Sequence, residues 1–153
     1  MFVDAAHQVL PVDPVRALDI GVAAALIRTF GADSGTPLRS EEVLAATAAD
    51  TSARTRCLRQ VLVAMTLVAD GDWAGAVDAL DLALAIGEDV DDRDLLWNLG
   101  NAALQLGDDS RQQQFYSFAL SRARETGAAT AVTYCLQRLC FGHWTAGTSS
   151  VFA

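Results

Sequence analysis

Two Gly-Asp dipeptides, Gly71-Asp72 and Gly107-Asp108, stand 36 residues apart in this chain of 153, and each separates two segments whose apolar residues recur at helical spacing. Glycine lets a helix end in the left-handed region of backbone space, and aspartate is a strong helix N-cap. The pair therefore closes one helix and opens the next within two residues, which folds the chain into antiparallel helix pairs. Composition agrees: 28 Ala, 3 Pro and 7% aromatic residues favour helices packed through small side chains over a stack of sheets.

The same punctuation divides the rest of the chain. Asp13 caps and Pro14 starts a helix expected over about 14–30, with Leu18, Val22, Ala25, Leu26 and Phe30 on one face and Gly31 as its stop. After the turn-rich GADSGTPLR, either Thr36 with Pro37 or Ser40 with its two Glu neighbours opens a short helix through Ala49. A longer helix from Ser52 carries Cys57, Leu58, Val61, Leu62, Met65 and Val68 on a broad apolar face. WAGAVDALDLALAIG follows and ends at Gly87, and the acidic EDVDDRD favours the positive N-terminal end of DLLWNLGNAALQL, which Gly107 stops. RQQQFYSFALSRARE then runs to Gly127, and AATAVTYCLQRLCFGHWTA to Gly147. The last residues, TSSVFA, read as a capped helix start with no helix of useful length behind it, so the chain is expected to be a fragment of a longer protein. The expectation is an all-α array of seven helices in one domain over 1–153. Residues 14–50 form a first divergent pair, 52–87 a second, 91–127 a third, and 128–147 the first helix of a truncated fourth.

Charge and chemistry narrow the function. All 11 basic residues are Arg, 15 of the 19 acids are Asp, and the net charge is −8 with a pI near 4.5. Such usage points to a GC-rich coding sequence from a high-GC bacterium. So few cations argue against a grip on a phosphate backbone, and nucleic acid is not expected as a direct partner of this chain. Arg54, Arg56 and Arg59 do allow residues 40–69 to be read as a helix-turn-helix, but the turn before Ser52 lacks Gly, and Asp70, Asp72, Asp78 and Asp81 follow closely. A repeat helix with a basic solvent face is the better reading. The N-terminus has neither the basic start nor the apolar core of a secretory signal, and the longest apolar run, Val61 to Ala69, is far below the ~20 residues of a membrane span. Three cysteines, Cys57, Cys135 and Cys140, with no close pair, fit buried thiols in a reducing cytoplasm.

No catalytic constellation emerges. Cys140 and His143 make only a two-ligand fragment of a zinc site. The acids Glu88, Asp89, Asp91, Asp92 and Asp94 lack the central Gly and closing Glu of a calcium loop and read as a solvated linker and helix cap. His7, His143, Cys135 and Cys140 are not accompanied by a nucleophile elbow. No metal, cofactor or enzymatic activity is expected of this chain.

The later helix pair resembles the tetratricopeptide repeat without gaps: Leu96, Leu99, Gly100 and Ala103 in the first helix, Gly107-Asp108 at the turn, Tyr116 and Ala119 in the second. The earlier pair repeats this with Ala64, Leu67, Gly71-Asp72, Ala76 and Ala83. Gln112 departs from the consensus Ala and Arg124 from the consensus Pro. Over Asp94 to Gly147 the chain also resembles the helical-repeat region of the large LuxR-type transcriptional regulators of actinobacteria, in the Arg and Gly-Ala of Arg124 to Ala128 and the Leu-rich helix ending in Ala-Gly. That family places an ATP-binding module before the repeats and a helix-turn-helix after them, and no GxxxxGK[ST] run occurs here.

The tetratricopeptide resemblance implies a right-handed superhelix whose concave groove is lined by first-helix positions. These are Val61, Met65, Val68 and Ala69, then Trp97, Asn101, Leu104 and Gln105, then Gln137, Phe141, Trp144 and Thr145. Aromatics there would supply area and amides would orient a backbone, so the partner implied is a protein segment or a small effector. Whether Trp97 and Trp144 line the groove or pack between repeats is left open by the sequence. The function expected is an interaction or effector-sensing repeat domain of a LuxR-family regulator, acting on DNA only through domains outside this chain. The alternative is a structural module that forms homo-oligomers or scaffolds other proteins.

Overall fold

The computed structural model describes residues 1–29, 31 and 37–145, and over these the chain is all-helical, with eight helices and no strand among the described residues. They fall into two compact units, Met1–Val90 and Asp91–Ala153. The first holds α1 (Phe2–Val9), α2 (Pro14–Thr29), α3 (Ser40–Ala46), α4 (Ala53–Asp70) and α5 (Trp73–Gly87). The second holds α6 (Arg93–Leu106), α7 (Asp109–Glu125) and α8 (Ala129–Thr145). The sequence reading of TSSVFA lies outside the described residues.

Both Gly-Asp turns form as their chemistry requires. Gly71 and Gly107 adopt φ of 82° and 70°. The amide of Asp72 donates to the Leu67 carbonyl at 2.9 Å, and that of Asp108 to the Ala103 carbonyl at 3.0 Å, closing the preceding helix. Each Asp then caps the next helix: Asp72 accepts from the Gly75 amide at 3.0 Å and Asp108 from the Arg111 amide at 2.9 Å. One residue thus finishes α4 with its backbone amide and starts α5 with its side chain, and its counterpart does the same for α6 and α7. The small residues lie where the paired helices touch, with Ala64, Ala76, Ala83, Ala103 and Ala119 all buried.

The structure departs from the sequence reading in three places. Eight helices are present where seven were expected: α1 starts at the N-terminus, where the Met1 ammonium donates to Asp4 at 2.9 Å, and is held by burying Val3 and Ala6 in packing against α2. α3 stops at Ala46, three residues short of Ala49, with the Thr47 hydroxyl donating to the Val43 carbonyl at 2.9 Å. Its N-cap is Arg39, since the Ser40 oxygen accepts from the Thr66 hydroxyl at 3.0 Å and ties α3 to α4. α7 begins at Asp109, two residues before Arg111, because Asp108 supplies the cap.

Of the three arginines at the start of α4, Arg54 reaches Asp19 on α2 at 2.7 Å, both side chains being partly buried. That pairing commits Arg54 to the fold. Deeper in the same unit the Cys57 thiol donates to the Ala83 carbonyl of α5 at 3.2 Å, and burial pushes its pKa from 9.0 up to about 12. A thiol held protonated by the fold contributes stability that is complete below pH 9.0 and is lost progressively up to about pH 12. Urea unfolding across that range should show this loss, and Cys57→Ala should flatten it; an unchanged slope in the variant would refute the assignment.

Candidate binding face on the second unit

Three helices in the order α6, α7, α8 pack each on the next, and their polar side chains converge around two tyrosines. Gly100 on α6 makes the convergence possible: a Cβ there would lie 2.7 Å from the ring of Tyr116, so only hydrogen leaves room for the phenol. Tyr116 is fully buried, and its hydroxyl donates to Asn101 Oδ1 at 2.9 Å. The Asn101 amide then donates to the Tyr134 oxygen on α8 at 3.3 Å. Each helix contributes one member to this relay, and a single amide spans two phenols by using both its acceptor and its donor.

Rings and cations continue the cluster outward. Trp97 and Tyr134, both half-buried, lie with centroids 5.0 Å apart, and the indole N–H of Trp97 donates to the buried Cys135 Sγ at 3.2 Å. Guanidinium groups cover the two rings, Arg93 at 5.4 Å from Trp97 and Arg138 at 5.2 Å from Tyr134. Burial raises the Tyr116 pKa above its ordinary value. Burial acts the same way on Tyr134, but the hydrogen bond from Asn101 and the positive charge of Arg138 over its ring help to outweigh it and bring that phenol below its ordinary value. The inner phenol is locked as a donor, while the outer one sits at the surface as an acceptor under positive charge.

Gln112 explains its own departure from the repeat consensus. It is 1% exposed, donates from Nε2 to the Arg138 carbonyl at 3.4 Å, and faces Gly142 of α8, where a Cβ would lie 3.0 Å from its Oε1. A long amide on α7 is matched by a missing side chain on α8. At the start of the unit, Asp92 caps α6 by accepting from the Leu95 amide at 2.9 Å, and Asp91 accepts from Arg122 Nε at 2.7 Å. Those acids of the linker cap and brace helices.

The residues expected to line one groove occupy several surroundings. Trp97 and Asn101 lie in the aromatic relay with Tyr134, and Leu104 and Gln105 continue α6 as half-buried side chains. Gln137 and Phe141 are exposed on α8. Trp144 is 75% exposed, with its ring centroid 6.0 Å from that of Phe141, and lies on the side of α8 turned away from α7. Of the two tryptophans, one is therefore packed between first helices and the other is open. Met65 is buried in the first unit, beside a cavity of about 490 Å³ lined also by Ala25, Leu38 and Val68. Sequence reasoning missed Tyr134, Arg93 and Arg138; the spacing of Tyr134 and Arg138, one helical turn apart, was the available signal.

His7 accepts from the Arg39 amide at 3.1 Å, Cys57 and Cys135 are buried and Cys140 is exposed. Among the described residues no group of three or more His, Cys, Asp or Glu side chains is placed to hold a metal ion, and no helix is long and apolar enough to cross a membrane. Compared with known protein families, curated proteins and solved structures, the chain matches none.

Proposed function

We propose that this chain is a non-enzymatic binding module that takes an extended protein segment or a small effector on the exposed side of α6 and α8. The observation that carries the reading is the half-buried pair Trp97 and Tyr134, with Asn101 bridging to Tyr116 behind it and Arg93 and Arg138 over the rings. Rigid aromatic surface with flanking amides and guanidinium groups suits a peptide, because it offers contact area at low entropic cost and donors for backbone carbonyls. The relay fixes the rings in advance, so little ordering is left for the moment of binding. Ligand would bias the packing of α8 on α6 and α7, and the resemblance to LuxR-type regulators supplies the outlet: a cytoplasmic signal passed to ATP-binding and DNA-binding domains.

Peptides selected on this chain from a randomised library test the binding. They are expected to slow amide exchange in α6 and α8 and to lose at least about tenfold in affinity on Trp97→Ala, or on joint replacement of Gln105 and Gln137 by Ala. Saturating peptide that leaves exchange in both helices unchanged defeats the proposal. Nucleotide sequence around the gene tests the regulator reading separately, through an upstream P-loop and a downstream helix-turn-helix.

A further inference from the structure

One face of α8 is unlike the rest of the surface. Ala131, Cys135 and Gly142 are the buried side of this helix, with Gly142 against Gln112 of α7. On the opposite side Ala129, Thr133, Leu136, Cys140 and Trp144 recur every three or four residues, and all five are exposed. None of the five is Asp, Glu, Arg or His; they are flanked by Thr130, Gln137 and Phe141 on one side and by Val132, Leu139 and His143 on the other, of which only the imidazole of His143 can carry a charge. Among the described helices α8 alone contains no Asp or Glu, in a chain whose net charge is −8. An uncharged apolar stripe on an acidic protein calls for a partner surface.

We propose that this stripe seats a second copy of the chain, α8 packing antiparallel on α8 about a two-fold axis that passes between Leu136 and Gln137. Two observations select this occupant. Two chains of charge −8 repel each other wherever their acids face, so a helix free of acids is where two copies meet at least electrostatic cost. The stripe is also complementary to its own reversal. About that axis Trp144, the largest side chain, meets Ala129 of the second copy, the smallest; Thr133 meets Cys140; and Leu136 meets Leu136 and Gln137. Small opposite large along a shared seam is what close helix packing needs, and a two-fold axis satisfies every such pair twice. The ligand face, centred on Trp97 and Tyr134, borders this seam at Gln137, so the substitutions that test the seam are placed at Leu136 and Trp144, away from Tyr134.

Sedimentation of the full 153-residue chain, from micromolar to near-millimolar concentration, reads the association directly, with circular dichroism confirming that each variant stays helical. A dimer is expected, and Leu136→Arg and Trp144→Glu, both at exposed positions, are each expected to abolish it. Thr133→Cys tests the register. Its thiol would stand beside Cys140 of the second copy, so oxidised glutathione should convert the variant to a disulfide-linked dimer. The unmodified chain should not crosslink, because its two Cys140 residues would lie about 10 Å apart along the seam. Within one chain positions 133 and 140 are also about 10 Å apart, too far for an internal bridge. A chain that stays monomeric overturns the proposal, whether Trp144 then proves shielded by residues after 145 or open to a different protein. So does a dimer that survives both charge substitutions, or a Thr133→Cys variant that stays uncrosslinked.

Discussion

Tyr116→Ala is expected to cost the second unit about 3–5 kcal/mol, the usual range for deleting a fully buried aromatic side chain. Tyr116 is buried between α6 and α7 and touches the backbone of α6 at Gly100, so its loss opens a void that Ala cannot fill. Removal of the hydroxyl also leaves Asn101 Oδ1 without its donor. Tyr116→Phe separates the two contributions: the ring stays, and the lost hydrogen bond is worth about 1 kcal/mol. Chemical denaturation of the two variants, followed by amide exchange in α6 and α7, measures both. A Phe variant as damaged as the Ala variant would mean that the hydroxyl relay, rather than the ring, carries the packing.

Gly100→Val is the second large effect. The added Cβ would lie 2.7–2.9 Å from three atoms of the Tyr116 ring, and the ring cannot retreat while its hydroxyl is held by Asn101. Overpacking of this kind costs about 1–3 kcal/mol for a first added group, and the two methyls of Val raise the expectation to at least about 3 kcal/mol. The gain in helix propensity over Gly, below about 1 kcal/mol, does not offset it. Because the damage passes through one ring, Gly100→Val combined with Tyr116→Ala should destabilise by less than the sum of the single changes, with a coupling of about 1–3 kcal/mol. Additivity within measurement error would show that the close approach of α6 to that ring is not what Gly100 provides.

Much of the fold was legible because its determinants are local. A Gly-Asp dipeptide writes a helix end and a helix start within two residues, and the alanines at 64, 76, 83, 103 and 119 mark where the paired helices meet. α1 was not legible, since no cap announces it and its order comes from packing on α2. The site was half legible. Trp97 and Asn101 were named through the tetratricopeptide resemblance, but Tyr134 gains its meaning from Asn101 and Tyr116, which are distant in sequence and meet it only when α8 packs on α7. Gln112 looked like an anomaly until Gly142 stood opposite it. Whether Trp144 is packed or open was not legible, because the rotation of α8 about its own axis is set by which of its residues α7 accepts, and that rotation leaves Trp144 exposed.

The Gly-Asp joints also bear on how quickly the chain folds. Every bond that closes them joins residues at most five positions apart, as in Asp72 to Leu67 and Asp108 to Ala103. No distant strand or domain has to arrive first, and the loop to be closed is two residues long, so little chain entropy is lost before α4 meets α5 or α6 meets α7. Contacts of such short sequence separation belong to the microsecond-to-millisecond end of folding rates. On a ribosome the α4–α5 joint can close once Gly87 has emerged and the α6–α7 joint once Glu125 has, whereas Trp97, Asn101 and Gln112 gain their remaining partners only with α8.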